Sequence, residues 1–395
     1  MRSYIFLLGK AQELCRAELF HVLKSYTIPF HEEGSGNGYV VVKFDSPIDS
    51  QLLLSRTGGT VKIAHLISTS QILAPELLTE IIASDQKKKK ITFGLSVIGQ
   101  EKADVVALTK SIKNQLIKKG FQTRFVLPEN TQLSSVVVQK QHVAEYILIF
   151  ENKTNRWLVG LTEATQHVDE WARRDRGRPW ADPKSGMLPP KVARMMVNIA
   201  ISNPITLITL LDPFCGMGTI LGEALLLGWR VVGSDIHEEV MLKAKKNLDW
   251  LQSEYSQIHF NYHMVSADAT HISEKMHLQN LDAIVTEPYL GAPLERRGEK
   301  IFQHGALVSF KEISNTMRGL EKLYIGALRE WHSLLKKGGK VVIAFPAVDV
   351  ENREFSVKKT VDMCENLGYT LAEGPYPYFR PQAVVKRKIY VFEKK

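Results

Sequence analysis

Leu211-Asp212-Pro213-Phe214-Cys215-Gly216-Met217-Gly218-Thr219-Ile220-Leu221-Gly222 decides the fold of the second half of this chain. An apolar run, Thr206 to Leu211, leads into it, and apolar residues at helical spacing, Thr219 to Leu227, lead out. Strand, glycine turn and helix in that order are the opening of an open α/β sheet, where ligands sit beyond the carboxyl ends of the strands. Outward from it, strands are expected at Arg230 to Ser234, Ile258 to Val265, Leu281 to Thr286 and Lys340 to Phe345. Helices are expected near Glu238 to Leu251, Ser314 to Leu335 and Glu354 to Leu367, giving the alternation of a parallel sheet with crossover helices. A turn built on Pro375, Pro377 and Pro381 then precedes a last strand, Ala383 to Glu393.

Gly216 and Gly218 allow close backbone approach and dihedrals that a Cβ forbids. The next strand ends in Gly233-Ser234-Asp235, an acid placed to accept from ribose hydroxyls. A dinucleotide fits poorly, because Gly216-x-Gly218-x-x-x-Gly222 is not GxGxxG and Asp212 would repel a pyrophosphate. S-adenosylmethionine fits better. It carries an ammonium, a sulfonium and an adenosine, matching Asp212, Asp235 and the Asp268 that follows the third strand.

The Asp-Pro-Phe-Cys-Gly-x-Gly-Thr segment resembles motif I of the amino-methyltransferases, in which the cysteine lines the cofactor loop and is not a nucleophile. The resemblance implies a cofactor set of Asp212, Pro213, Cys215, Gly216, Gly218, Thr219, Asp235, Ile236, Asp268 and Ala269. After the fourth strand, Thr286-Glu287-Pro288-Tyr289-Leu290-Gly291 stands where such enzymes hold Asp/Asn-Pro-Pro and an aromatic. An exocyclic amine is a poor nucleophile, its lone pair being delocalised into the base. Acceptors from a side chain and a proline-fixed carbonyl hold its protons, and an aromatic stacks on the extruded base. Glu287, Pro288 and Tyr289 are the catalytic candidates. Glu287 is one methylene longer than the usual acid. A carboxylate suits guanine, which offers donors at both N1 and the exocyclic amine.

The first half reads as α+β. Strands are expected at Ser3 to Leu8, Tyr39 to Phe44, Gln132 to Gln139, Ala144 to Glu151 and Arg156 to Thr162, with helices at Gln12 to Ser25 and Val105 to Lys119. The opening apolar stretch is too short for a signal peptide, and no run is long enough to span a bilayer. Cys15, Cys215 and Cys364 are scattered without a CxxC pair, which favours a reducing, cytoplasmic setting and offers neither a disulfide framework nor a metal site. The net charge of +9 favours a polyanionic partner. The excess is concentrated between Trp171 and Ala200, with seven Lys and Arg against two acids, so phosphate contacts are expected there.

Over nearly its full length the chain resembles the THUMP-containing tRNA guanosine-N2 methyltransferases. The resemblance rests on Tyr4-Ile-Phe-Leu-Leu-Gly-Lys-Ala-Gln-Glu-Leu-Cys-Arg-Ala-Glu-Leu19, on Arg173-Arg-Asp-Arg-Gly-Arg-Pro179 followed by Leu188-Pro-Pro-Lys-Val-Ala-Arg194, and on Lys386-Arg-Lys-Ile-Tyr390. It implies a ferredoxin-like domain at 1–65 and a THUMP-like domain at 66–165. A basic linker and helix follow at 166–202, then a Rossmann-like class I methyltransferase domain at 203–395 whose seven-stranded sheet ends in an antiparallel strand. It also implies S-adenosylmethionine as cofactor and tRNA as partner; separately, no metal is expected, and of the possible oligomeric states a monomer is favoured. Lys88, Lys89, Arg173, Arg174, Arg176 and Arg178 are the expected phosphate contacts. The alternatives are an amino-methyltransferase of ribosomal RNA or of DNA (adenine N6), and a tRNA-binding homologue that no longer catalyses.

Overall fold

The computed structural model describes residues 1–395 apart from 27, 86–89, 100–103, 182–186, 201–207, 278, 299, 304, 381 and 382. The chain forms two compact units, Met1–Arg16 with Tyr26–Glu170, and Ala17–Ser25 with Trp171–Lys395.

The first unit is built on one eight-stranded sheet. Its strands are β1 (Arg2–Leu8), β2 (Phe30–Gly36), β3 (Tyr39–Phe44), β4 (Thr60–Ser70), β5 (Lys90–Ile98), β6 (Gln122–Val126), β7 (Ala144–Glu151) and β8 (Arg156–Thr165). The order is β2-β3-β1-β4-β8-β7-β5-β6, so a single sheet runs through both of the N-terminal regions distinguished by resemblance. Helices α1 (Gln12–Lys24), α2 (Ser50–Arg56), α3 (Pro75–Asp85), α4 (Val105–Lys118) and α5 (Ser135–Lys140) connect these strands. Leu78 and Ile82 of α3 and Ile112 and Leu116 of α4 pack on Phe93, Leu95, Tyr146 and Val159, while Ile5, Val41, Ile147 and Leu158 form a second apolar cluster. α4 starts at Asp104, whose side chain accepts from Ala107 N at 2.9 Å, and stops before Gly120 at φ 87°. Gln132 to Gln139 is a correction. Ser134 caps a short helix there, accepting from Val137 N at 3.3 Å, and this local bond prevails over the strand preference of Val136-Val137-Val138.

The second unit follows α6 (Val168–Arg176) and contains α7 (Pro190–Ile199), β9 (Thr209–Asp212), α8 (Thr219–Leu225), β10 (Arg230–Asp235), α9 (Glu238–Glu254) and β11 (Asn261–Ser266). Then come β12 (Leu281–Thr286), α10 (Phe310–Leu334), β13 (Leu335–Val350), α11 (Lys358–Asp362), β14 (Tyr369–Tyr378) and β15 (Val385–Lys394). The strand order is β11-β10-β9-β12-β13-β15-β14. Strands β9 to β13 pair in parallel, and β15 is antiparallel to both of its neighbours. This is the Rossmann-like arrangement of class I methyltransferases, with the order reversing between β9 and β12. Trp331, Tyr324 and Tyr369 are the bulkiest members of a buried core cluster that also takes in Phe345, Phe392, Leu211 and Ile284.

Two expectations fail near the end. Glu354 to Leu367 is not one helix. Glu351 and Asn352 take positive φ (48° and 62°) and turn Arg353–Ser356 back as a strand on β13, leaving only α11 and a 3-10 turn. Pro375 and Pro377 sit within β14 instead of in a turn. β14 is an edge strand, and its register with β15 shifts on either side of Glu373, so the missing N–H groups cost little. Among the described residues no helix is long and apolar enough to cross a membrane.

Candidate cofactor and acceptor site

The turn between β9 and α8 lies at the switch point of the sheet. Cys215 N donates to Ser234 O at 2.8 Å, fastening the turn to β10, and Gly218 N donates to Cys215 O at 2.8 Å. Gly216 (φ 49°) and Gly218 (φ 80°) both take left-handed backbone, and Gly218 caps α8. A Cβ on Gly216 would meet nothing within 4 Å, so the loop borders open space there. Gly233 has the opposite reason to be glycine, because a Cβ would overlap the Leu221 side chain of α8 and force it to shift. Cys215 is buried, and burial pushes its thiol up, the reverse of what a nucleophile needs.

Asp212 and Asp235 are the last residues of β9 and β10, and Asp268 stands two residues past β11. Asp212 is 1% exposed, and its Oδ1 accepts from Phe214 N at 3.2 Å and from Thr286 Oγ1 at 2.7 Å. Burial pushes its carboxyl up to about 7; Asp235 and Glu287 add to the rise and the two hydrogen bonds oppose it. Asp235 accepts from Gly216 N at 3.2 Å and from His237 N at 3.1 Å. Asp268 is exposed, and Thr270, donating from N and Oγ1 at 2.8 Å each, holds its carboxyl below the ordinary range. Ala267 N donates to Asp235 O at 3.2 Å, so the second and third acids belong to one continuous rim. Ile236, 61% exposed, projects beside Asp235, while Ala269 is buried and its carbonyl accepts from Trp331 Nε1 at 2.9 Å. Carboxylates, one of them buried beside other acids, together with an exposed apolar side chain and an open glycine turn, suit a cationic nucleoside.

The acceptor loop leaves β12 next to this turn. Glu287 is half-buried and ion-paired to Arg387 of β15, with Nε facing Oε1 and Nη2 donating to Oε2 at 3.3 Å. Burial pushes the Glu287 carboxyl up, and Arg387 and then Arg380 pull against that rise. Pro288 is buried and Tyr289 is exposed, and the Tyr289 carbonyl accepts from Tyr324 Oη at 2.5 Å. Arg387 and Tyr324 were missed from the sequence. A usable sign did exist for Arg387, which shares the buried face of β15 with Ile389 and Val391 and so requires a carboxylate partner.

The expected phosphate contacts divide. Lys88 and Lys89 lie outside the described residues. Arg173 is exposed and pairs with Glu254 at 2.8 Å, and the Arg176 side chain is 88% exposed. Arg174 is instead buried, donating to Glu223 Oε1 and Tyr255 Oη at 2.9 Å each and lying on Trp171 at 4.0 Å from the ring centre. Arg178 is also buried and donates to Thr219 Oγ1 at 2.8 Å, bracing the first turn of α8. Neither guanidinium is turned to solvent. Trp171 is buried, whereas Trp180 is 40% exposed with Lys243 and Lys246 at 5.5 and 5.6 Å from its ring centre. Among the described residues no group of His, Cys, Asp and Glu is arranged to hold a metal ion.

Residues 178–357 match the family model described as UPF0020: RMKL-like, methyltransferase domain. A relative from Methanothermobacter thermautotrophicus, a tRNA (guanine(10)-N2)-dimethyltransferase, is 27% identical over 369 residues, covering 92% of this chain and 95% of the relative. A protein of the same name from Pyrococcus abyssi is 29% identical over 225 residues, 56% of this chain and 54% of the relative. Among solved structures, TrmN from Thermus thermophilus superimposes with a TM-score of 0.56 at 17% identity, covering all of both chains.

Proposed function

We propose that this S-adenosylmethionine-dependent class I methyltransferase, similar along its length to the tRNA (guanine(10)-N2)-dimethyltransferases, methylates the exocyclic N2 of a guanosine in tRNA. The observation that carries the chemistry is the bond between Thr286 and Asp212, which joins the acceptor loop directly to the strand that leads into the glycine turn. The similarity of nearly the whole chain to a tRNA-modifying relative supports the substrate.

In this reading Gly216, Gly218 and their neighbours Pro213, Cys215 and Thr219 shape the donor pocket. Asp212 meets the cationic end of the donor, Asp235 the ribose, and Ile236, Asp268 and Ala269 the adenine side. When bound, the donor supplies a methyl group on a positively charged sulfur. Glu287 accepts from guanine N1–H and N2–H, and the Pro288 backbone fixes the direction of the loop. The exposed Tyr289 ring offers a stacking face to an extruded base. As N2 takes the methyl carbon, that carbon's bond to the donor sulfur breaks with the electron pair left on a neutral thioether, and the proton that N2 sheds passes to a Glu287 oxygen. Most of the rate then comes from alignment and from a carboxylate held ready for that proton.

Arg173 and Arg176 meet backbone phosphates, and the first unit, with a ferredoxin-like part at 1–65 and a THUMP-like part at 66–165, holds the tRNA body. Residues 166–202 lead into the catalytic domain. We place the enzyme in the cytoplasm as a monomer. The test is incubation with unmodified tRNA and labelled S-adenosylmethionine, with the product mapped by mass spectrometry. N2-methylguanosine is expected; label on adenine N6, or none, would refute the reading.

A further inference from the structure

The ion pair between Glu287 and Arg387 joins residues a hundred positions apart. Strand β15 sets Arg387 opposite Pro346 of β13 and Tyr378 of β14, and the Arg387 side chain is 7% exposed. From this strand the guanidinium meets both oxygens of Glu287, through Nε and through Nη2. A carboxylate has about four lone-pair sites. A two-pronged arginine uses one on each oxygen and leaves one on each, the number needed to receive N1–H and N2–H of guanine.

We propose that Arg387 is a positioning residue that makes the acceptor site selective for guanine, by gripping both Glu287 oxygens so that their remaining lone pairs serve the base. The assignment rests on the guanine reading above. The other charged and titratable groups that act on this carboxyl or are acted on by it are Asp212 at the end of β9, Arg380 ahead of β15 and Tyr324 on α10. Asp212 is an acid and Tyr324 is a phenol whose own proton is held, so the balancing positive charge comes from the two arginines, Arg387 first. Burial pushes the Glu287 carboxyl up, and Arg387 is the larger of the two charges that oppose that rise. A protonated Glu287 would turn an O–H toward N1. That clashes with guanine, which has a proton there, and suits adenine, which has a lone pair.

The experiment measures single-turnover methylation of tRNA from pH 6 to 9 by wild type, Arg387→Gln and Arg387→Lys, with S-adenosylhomocysteine affinity and melting temperature measured in parallel. Arg387→Gln should lose about a hundredfold in rate near neutral pH and recover as the pH rises. Cofactor affinity should stay within about twofold, and Arg387→Lys, which keeps the charge but cannot grip both oxygens, should recover only part of the rate, with a smaller displacement of the acid limb than the glutamine variant. An unchanged rate in Arg387→Gln, a loss of equal size at every pH, or a lysine variant no better than glutamine would overturn the assignment. If Arg387→Gln does not fold, the lysine variant decides, and an acid limb identical to wild type overturns it. Should wild type make no N2-methylguanosine, it is the functional reading that has failed. Arg387 is then judged by the carboxyl carbon-13 titration of Glu287, assigned with Glu287→Gln, which should move to higher pH in Arg387→Gln and refutes the pairing role if it does not.

Discussion

Thr286 Oγ1 donates a 2.7 Å hydrogen bond to Asp212 Oδ1, and both side chains are buried at the adjacent ends of β12 and β9. The bond couples the acid before the glycine turn to the first residue ahead of the acceptor loop. It also lowers the Asp212 carboxyl, partly offsetting burial. Thr286→Val keeps the shape and removes the donor, so it should cost about 1 kcal/mol in urea denaturation. It should also move the onset of donor binding to higher pH, read by titration calorimetry with S-adenosylmethionine.

Asp212 itself predicts a pH dependence. Its carboxyl in the folded chain stands at about 7, above the ordinary aspartate range. A raised value contributes stability that is complete below that ordinary range and is lost as the pH rises through about 7. The donor-free protein should therefore melt at a lower temperature at pH 8 than at pH 5 by more than Asp212→Asn does. A cationic donor favours the ionised acid, so its affinity should rise about tenfold between pH 6 and 8 in wild type and stay flat in the variant. Parallel curves for the two proteins would contradict this.

Glu223 holds two arginines at once, Arg174 Nε at 2.9 Å and Arg194 Nη2 at 2.8 Å, in a buried setting against Trp171. Glu223→Gln removes the charge and leaves two buried guanidinium groups facing an amide. A loss of about 3 to 5 kcal/mol in folding stability is expected, measured by chemical denaturation. A cost below about 1 kcal/mol would mean the cluster is well solvated.

Arg173 and Arg176 should behave as phosphate contacts and Arg174 should not. Replacing either of the first two by alanine should flatten the dependence of log affinity for tRNA on log salt by about one unit each. Filter binding across a salt series reads this slope. An unchanged slope would remove that residue from the interface.

The catalytic sheet was legible because parallel strands buried on both faces are written as continuous apolar runs, such as Leu281 to Thr286, whose bounds match β12. The acids at the carboxyl ends of β9, β10 and β11 were legible for the same reason, since each marks the end of a recognisable strand. Partnerships set by the tertiary fold were not. An arginine in Arg173-Arg-Asp-Arg-Gly-Arg178 reads the same whether it faces water, as Arg176 does, or is folded inward onto Glu223, as Arg174 is. Arg387 meets Glu287 only because β15 inserts between β13 and β14. The Val136-Val137-Val138 run misled because one capping serine outweighed three β-branched residues.

That return has a consequence for assembly. β15 comes last among the strands of its sheet yet is flanked on both sides, by β13 and β14. Until it arrives, β13 presents an open edge along much of its length, and β14 lacks the neighbour that holds it to the sheet. Folding must therefore close long loops before β13 is covered, which slows it and leaves a sticky intermediate exposed to aggregation. Chains cut short of residue 385 should accumulate as insoluble material, not as a stable, inactive domain.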